Sequence, residues 1–472
     1  MNPAQEQANT RPGVILTLLF LANLMNFFDR TIPAIVVEPI RFEWGLSDLQ
    51  LGMLTAAFTV VYAIAGLPLG RLADRHPRRL VMGWGLVVWS GFTAVNGLAW
   101  SYASFFLGRM GVGIGEASYA PAANSLIGDL YPSAKRARAT GIFMLGLPLG
   151  LVLAFFTVGA MVEAFGSWRA PFFIAAVPGL LLAIWMFFIR EPRRGASEAV
   201  ADGEALAKGE AMAESEAAAG DGVATGADVE GESGERAPIR RLLRIPTLRW
   251  LILSGVTMNF ASYAGNGFLV PMLQRYFGLA LGQAAMLTGC MVGITGLIGL
   301  VAGGFVADAL HQRSERGRLL FGAGSLLLAA GGTGVALTMG AASLTAFAWL
   351  FGLGWLMLYN YYTCVYPAIQ DVVEPRLRAT AVAVYFAGMY LLGGAFGPVV
   401  VGALSDSLAR RAMEAAGETV MQESFKASGL HDSMFLVPVT LLATAIFVYL
   451  AARRFPEDAR AMERRQAEGA SI

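Results

Sequence analysis

Residues 13–37 read GVILTLLFLANLMNFFDRTIPAIVV, a long apolar run with an Asp29-Arg30 pair set inside it. At 1.5 Å per helical residue, roughly 25 residues suffice to cross a hydrocarbon layer of ~30 Å. The run is too long for the apolar part of a signal peptide, and the polar start of the chain is unlike one, so no cleavable leader is expected. Similar runs recur at 49–69, 80–100, 104–126, 140–162 and 171–189, and then at 248–277, 284–306, 319–339, 344–369, 379–404 and 433–452. The pattern predicts an all-α integral membrane protein with twelve transmembrane helices in two parallel six-helix repeats.

Composition agrees. Of the 472 residues, 56% are hydrophobic and 15% are charged, against roughly 25% charged in a soluble chain. The 56 glycines fit membrane helices, where glycine is common. Lys and Arg number 35 against 34 Asp and Glu, a net charge of +1, which gives no electrostatic basis for binding nucleic acid. Cys290 and Cys364 lie in apolar runs, and His76, His311 and His431 are far apart, so neither a disulfide framework nor a metal site is expected. Nothing points to a cofactor.

Basic residues in the short connections set the expected orientation. Arg71, Arg75, Arg78 and Arg79, then Lys135, Arg136 and Arg138, then Arg313, Arg316 and Arg318, and finally Arg453, Arg454 and Arg460 fall on one side. That side is read as cytoplasmic, with both termini on it, in a bacterial inner membrane. The eleventh connection is the exception, but its Arg410, Arg411 and Lys426 are offset by acids. Within it, 403–424 reads as an amphipathic stretch on the outer surface. Residues 191–240, rich in Ala, Gly and Glu, lack the apolar side chains needed to fold and read as a disordered linker. The expected units are a bundle over 1–190, this linker, a second bundle over 241–455 and a tail over 456–472.

The two bundles look like copies. Met25-Asn26-Phe27 recurs as Met258-Asn259-Phe260, and Met53-Leu54-Thr55 as Met286-Leu287-Thr288, both at an offset of 233. Gly70 with Ala73-Asp74 recurs as Gly304 with Ala307-Asp308 at 234, and Arg138-Ala139-Thr140 as Arg378-Ala379-Thr380 at 240. Ordered matches at a nearly fixed period mark a duplication. Paired repeats with a site between them suit alternating access.

The stretch Gly70-Arg71-Leu72-Ala73-Asp74-Arg75-His76-Pro77-Arg78-Arg79 resembles the signature loop of the major facilitator superfamily, with Pro77 in place of the usual glycine. Asn26-Phe27-Phe28-Asp29-Arg30, the run Arg109 to Ala117, and Asp129-Leu130-Tyr131-Pro132 are similar to the spinster family. That resemblance implies a carrier of lysophospholipids or sphingosine-1-phosphate. An Asp-Arg pair in the first helix also occurs in carriers of organic anions and sugar acids, which stand as the alternative.

Ionisable groups at bilayer depth are costly and usually functional. Asp29 and Arg30 lie in the first helix; Arg109 and Glu116, seven apart, share a face of the fourth. The superfamily resemblance places both helices on the central cavity. The plainer account is an ion-pair network that fixes packing. The functional one makes Asp29 and Glu116 proton-coupling groups and Arg30 and Arg109 ligands for a phosphate. The duplication places Ser262 and Tyr263 opposite Asp29 and Arg30, so the charges belong to one half. The other half offers Tyr263, Asn266, Tyr359, Asn360, Tyr361 and Tyr362 as an apolar, aromatic substrate wall. For any single tyrosine, ordinary packing is the commoner role.

Asp74 at the end of the second helix is expected to accept hydrogen bonds from the start of the eleventh, near Arg378. With Gly70, Arg75, Arg78, Arg138 and Asp308 it would form a gate between halves; the alternative is that the arginines serve topology alone. Gly146-Leu147-Pro148-Leu149-Gly150 indicates close helix packing. The rivals in other classes are a membrane-embedded enzyme, for which no nucleophile or metal constellation is evident, and a receptor or channel. The expected partners are a lipid or small-molecule substrate, protons and the bilayer; a monomer is assumed.

Overall fold

The computed structural model describes residues 11–192, 237–374 and 377–470, all helical apart from short turns. The linker expected over 191–240 falls almost wholly outside the described residues. In the first half, α1 is Pro12–Ile35, α2 Asp48–Arg75 and α3 Arg78–Gly97. Helix α4 has two pieces, Tyr102–Ala117 and Tyr119–Leu130, as has α5, Ser133–Met144 and Gly146–Phe165; α6 is Ala170–Phe188. In the second half, α7 is Pro246–Phe277. Helix α8 runs from Leu281–Thr288 through a π-helical turn, Gly289–Ile294, into Thr295–Arg313. After α9 (Gly317–Leu337) and α10 (Leu344–Asp371), α11 combines Arg378–Ala387, a π-helical turn Gly388–Gly394 and Phe396–Ala415. Helix α12, Leu436–Ala470, continues well past the point where the sequence ends the second bundle. Of the 403–424 stretch, most belongs to α11, and a short helix, Glu423–Ser433, follows it.

Ten spans among the described residues are long and apolar enough to cross a membrane; α4 and α7 are not among them. These two carry Arg109 and Glu116, and Asn259, Ser262, Tyr263, Asn266 and Arg275. Their polarity is tolerable in a bilayer because neighbouring helices cover it.

The duplication is visible in three dimensions. The chain leaves Val37–Trp44, after α1, through Gly45 at φ 64°, and leaves α7 through Gly278 at φ 70°, again at an offset of 233. Only glycine enters that left-handed region freely. A Cβ on Gly150 would stand 2.3 Å from the carbonyl oxygen of Leu24 in α1, and one on Gly397 would stand 2.6 Å from that of Phe260 in α7. Asn23 donates to the Phe143 carbonyl, 2.9 Å, and Asn259 to that of Met389, 3.0 Å, so each half ties its first helix to its fifth through an asparagine.

The halves are clasped at one face, opposite the one where α1 begins and α12 ends. There Arg275 of α7 grips both carboxylate oxygens of Asp48, at 2.8 and 2.9 Å, and also bonds Glu38. Asp406 of α11 accepts the backbone amides of Asp48 and Leu49, both at 3.0 Å, so the second half caps the α2 N-terminus of the first. Ser405 donates to Asp48 at 2.6 Å, and Arg41 pairs with Glu423 at 2.6 Å. Glycines permit the approach: a Cβ on Gly52 or Gly402 would meet a backbone oxygen of Pro398 or Asp48 at 2.3 and 2.2 Å.

Candidate functional site

A helix turns 100° per residue, so adjacent Asp29 and Arg30 face different neighbours. Arg30 Nε donates to Glu116 Oε2 across the gap between α1 and α4, at 2.5 Å. Its guanidinium also lies over the Tyr62 ring at 4.4 Å and near Phe58 at 5.1 Å. Asp29 is turned to α3, where Thr93 donates to it at 3.4 Å. Arg109 covers the Phe58 ring at 4.7 Å, so one ring is in contact with two guanidinium groups. Cation–π contacts of this kind are worth roughly 0.5–2 kcal/mol, more where water is excluded.

The quartet is buried, Glu116 and Asp29 almost completely, while the Arg30 side chain keeps 13% of its exposure. Two acids and two arginines balance in charge, which low dielectric demands. Hydrogen bonding is incomplete: among the described residues, Asp29 Oδ1, Arg109 Nε and Glu116 Oε1 have no partner. Buried polar atoms are nearly always paired, so this is spare capacity concentrated at one place.

Across from Arg30 stands an aromatic wall. Tyr62 of α2 meets Tyr390 of α11 at 6.4 Å between centroids, and Tyr263 of α7 meets the same ring edge-on at 6.2 Å. The chain of rings continues through Phe386, Tyr366 and Tyr362 to Tyr359, each step 5.7–6.1 Å. All of these rings are half-buried. Behind them Ser254, Tyr361 and Tyr385 are linked by hydroxyl bonds of 2.9 and 2.8 Å, which fix α7, α10 and α11 together.

The structure thus brings Asp29, Arg30, Arg109 and Glu116 together and puts Tyr263, Tyr359 and Tyr362 in the facing wall. Asn266 lies on α7 one turn from Tyr263, with Oδ1 unpartnered. Asn360 is different: it is buried and donates to Ser325 of α9 at 3.1 Å, behind the wall and away from Arg30. Residue 360 sits 100° round α10 from Tyr359, which turns it into the bundle.

The expected gate residues also have other partners. Arg78 binds Glu191 at 2.6 Å and also Asp129 and Ser125, all in its own half. Arg318 binds Asp308 and Asp371 at 3.2 and 3.3 Å, and Arg378 bonds the carbonyls of Gln370 and Val373, all within the second half. Among the described residues these groups staple loops inside each half, and the ion pairs described above between the halves lie on the other face. Arg75 and Arg138 are exposed, Gly70 lies beside Pro121 of α4, and the side chain of Asp74 lies outside the described residues. Among the described residues, no group of three His, Cys, Asp or Glu is placed to hold a metal.

Two sequence-similar six-helix halves, a charged site between them and a clasp on one face describe an alternating-access carrier. The profile of the Major Facilitator Superfamily matches residues 19–413. The chain belongs to this superfamily. As a superfamily member it is an integral membrane secondary transporter. The transporter resembles a bacterial homologue of the human lysosomal transporter Spinster, solved in an inward-facing, unoccupied conformation, with TM-score 0.78 and 28% identity over 95% of this chain and 98% of that one. It is 26% identical to the sphingosine-1-phosphate transporter of Danio rerio, over 95% of this chain and 85% of the relative. It is equally, 26%, identical to the hexuronate transporter of Bacillus subtilis, over 83% and 87%.

Tyr62, Phe58, Phe386 and Tyr390 do not stand out in the sequence. Single aromatics in apolar helices carry little signal, but Tyr359, Tyr362 and Tyr366 at spacings of three and four share one helix face, a stripe the sequence itself displays.

Proposed function

We propose that this transporter carries an anionic amphiphile, a lysophospholipid or a sphingosine-phosphate-like molecule, with its movement coupled to protons. The Arg30–Glu116 pair carries the proposal, because it stands where the charged half meets the aromatic wall. Glu116 and Arg30 each occupy the other's charge. Protonating Glu116 frees the Arg30 guanidinium, whose planar fork suits a phosphate. Arg109, with an unused donor, supplies a second contact, and Asp29 beside it is the second proton acceptor. The half-buried rings from Tyr263 to Tyr359, with Asn266, suit the chain and linker of an amphiphile. Loading breaks the Arg275–Asp48–Glu38 clasp as the halves rock, and Asp74 with Arg75 and Arg138 closes the other face. That other face is the cytoplasmic one, in a bacterial inner membrane.

The resemblance to a hexuronate transporter favours a second reading, a small sugar acid held by the same arginines. Proteoliposomes decide between them. Fluorescent lysophospholipid is offered with and without a pH gradient, alongside labelled hexuronate, to the native protein and to Glu116→Gln. Gradient-driven lipid movement that Glu116→Gln no longer links to pH is expected. Hexuronate uptake without lipid movement would replace the lipid reading, and unaltered pH dependence in the variant would remove Glu116 from the coupling.

A further inference from the structure

On the face where α12 ends, a cavity of about 810 Å³ lies outside the transport site. Three separate segments build it: Arg240, Arg241, Arg244, Ile245 and Pro246 at the entry to α7, Val372 beyond α10, and Asp458, Ala461 and Arg465 on α12. Its acids are already engaged. Asp458 accepts the Thr247 amide at 2.8 Å, capping α7. Glu374 beside the cavity takes Arg241 at 2.6 Å and lies 3.9 Å from Arg465. Among the described residues, Arg240 and Arg244 have no acidic partner, and both are exposed.

We propose that this cavity binds the phosphate diester of an anionic phospholipid headgroup. Guanidinium groups converging from two segments suit a phosphate's oxygens, and Arg presents paired donors where Lys presents a point charge. A free anion would need only the arginines. The lipid is favoured because Ile245, Pro246 and Val372 line the same cavity and Leu243, 42% exposed, stands beside it between Arg241 and Arg244. Apolar groups among arginines, at the point where a membrane helix begins, match a headgroup with its acyl chains alongside. Basic pockets between helices at a cytoplasmic face recognise anionic lipids in this way. The site lies wholly in the second half, so it does not depend on which substrate the transporter carries.

Native mass spectrometry of the full chain tests it, with dioctanoyl phosphatidylglycerol, dioctanoyl phosphatidylcholine and inorganic phosphate as separate probes. Arg240→Gln/Arg244→Gln/Arg465→Gln is compared with Arg313→Gln/Arg316→Gln/Arg454→Gln, an equal charge loss at exposed sites elsewhere on the same face. Phosphatidylglycerol is expected to bind the native protein and the second variant alike, and to lose about tenfold or more in the first. Equal loss in both variants would reduce the effect to the general field of that face and overturn the site. Inorganic phosphate binding as tightly as the lipid would overturn the lipid assignment. Should the triple variant misfold, Arg244→Gln alone is expected to lose about threefold, and no loss there would equally reject the proposal.

Discussion

In the first half, Gly146 and Gly150 let α5 close on the backbone of α1; in the second, Gly393 and Gly397 let α11 close on α7. Arg78 ties α3 to Asp129 at the end of α4, and Arg318, 240 residues on, ties α9 to Asp371 at the end of α10. Yet where α1 carries Asp29 and Arg30, the same turn of α7 carries Ser262 and Tyr263. The backbone contacts that make a six-helix unit survived duplication, while the side chains facing the gap diverged, one half toward charge and the other toward aromatic rings. Packing constrains a glycine against a carbonyl tightly, whereas a cavity wall is constrained only by what passes it.

The largest effect tests the shared scaffold. Gly150→Leu and Gly397→Leu each push a side chain into a backbone oxygen that cannot yield without moving a helix. Each is expected to cost about 3 kcal/mol, seen as loss of the monodisperse peak and of the thermal transition. Tolerance in one half and collapse in the other would show that the two scaffolds are not equivalent.

A smaller effect tests the divergence. Arg30→Lys keeps the charge but loses the planar fork stacked on Tyr62. Transport measured as initial rate in proteoliposomes is expected to fall by about tenfold or more, the worth of a charge-assisted bond. Tyr263→Phe keeps the ring and removes one hydroxyl, for a fall of about threefold. If the second loss equals the first, recognition is shared between the walls and the division into a charged and an aromatic half fails.

What sequence made legible follows the same division. Asp29, Arg30, Arg109 and Glu116 stood out because a charge inside an apolar run is rare, and the structure gathers them. The helix count came from run length, although α4 and α7 are the least apolar of the twelve; their polar residues are those that face other helices instead of lipid. The ring chain through Tyr390 and Tyr62 is hidden because it is assembled from four helices, α2, α7, α10 and α11. The clasp was hidden for a different reason. Glu38, Asp48, Arg275 and Asp406 each look like an ordinary charge at a helix end, and only the approach of α2 to α11 through Gly52 and Gly402 joins them. Likewise Arg78 reads as part of a gate by motif, but Asp129 and Glu191 reach it first.

The smallest effect lies beside that clasp, where the two halves again carry different ties. Glu43 pairs with Arg169 at 2.6 Å and accepts from Trp168 at 2.6 Å; 233 residues on, Tyr276 stacks on His431 at 4.1 Å between centroids. The Arg169 hydrogen bond is the main force holding the Glu43 carboxyl below the usual carboxylate range, with Trp168 adding to it. A depressed acid contributes stability above its unfolded value of ~4.3 and loses that contribution as pH falls through the folded value. Since Glu43 is more than a third exposed, the contribution is small. Lowering the pH from neutrality to about 3.5 should therefore reduce the melting temperature of the native protein by about 1–2 °C more than that of Glu43→Gln. Tyr276→Phe leaves every carboxylate in place, including that of Asp432, 3.0 Å from His431 Nδ1, so it should follow the native protein through the same acid range. If Glu43→Gln tracked the native curve and Tyr276→Phe departed from it, the acid-sensitive tie at this face would belong to the aromatic half.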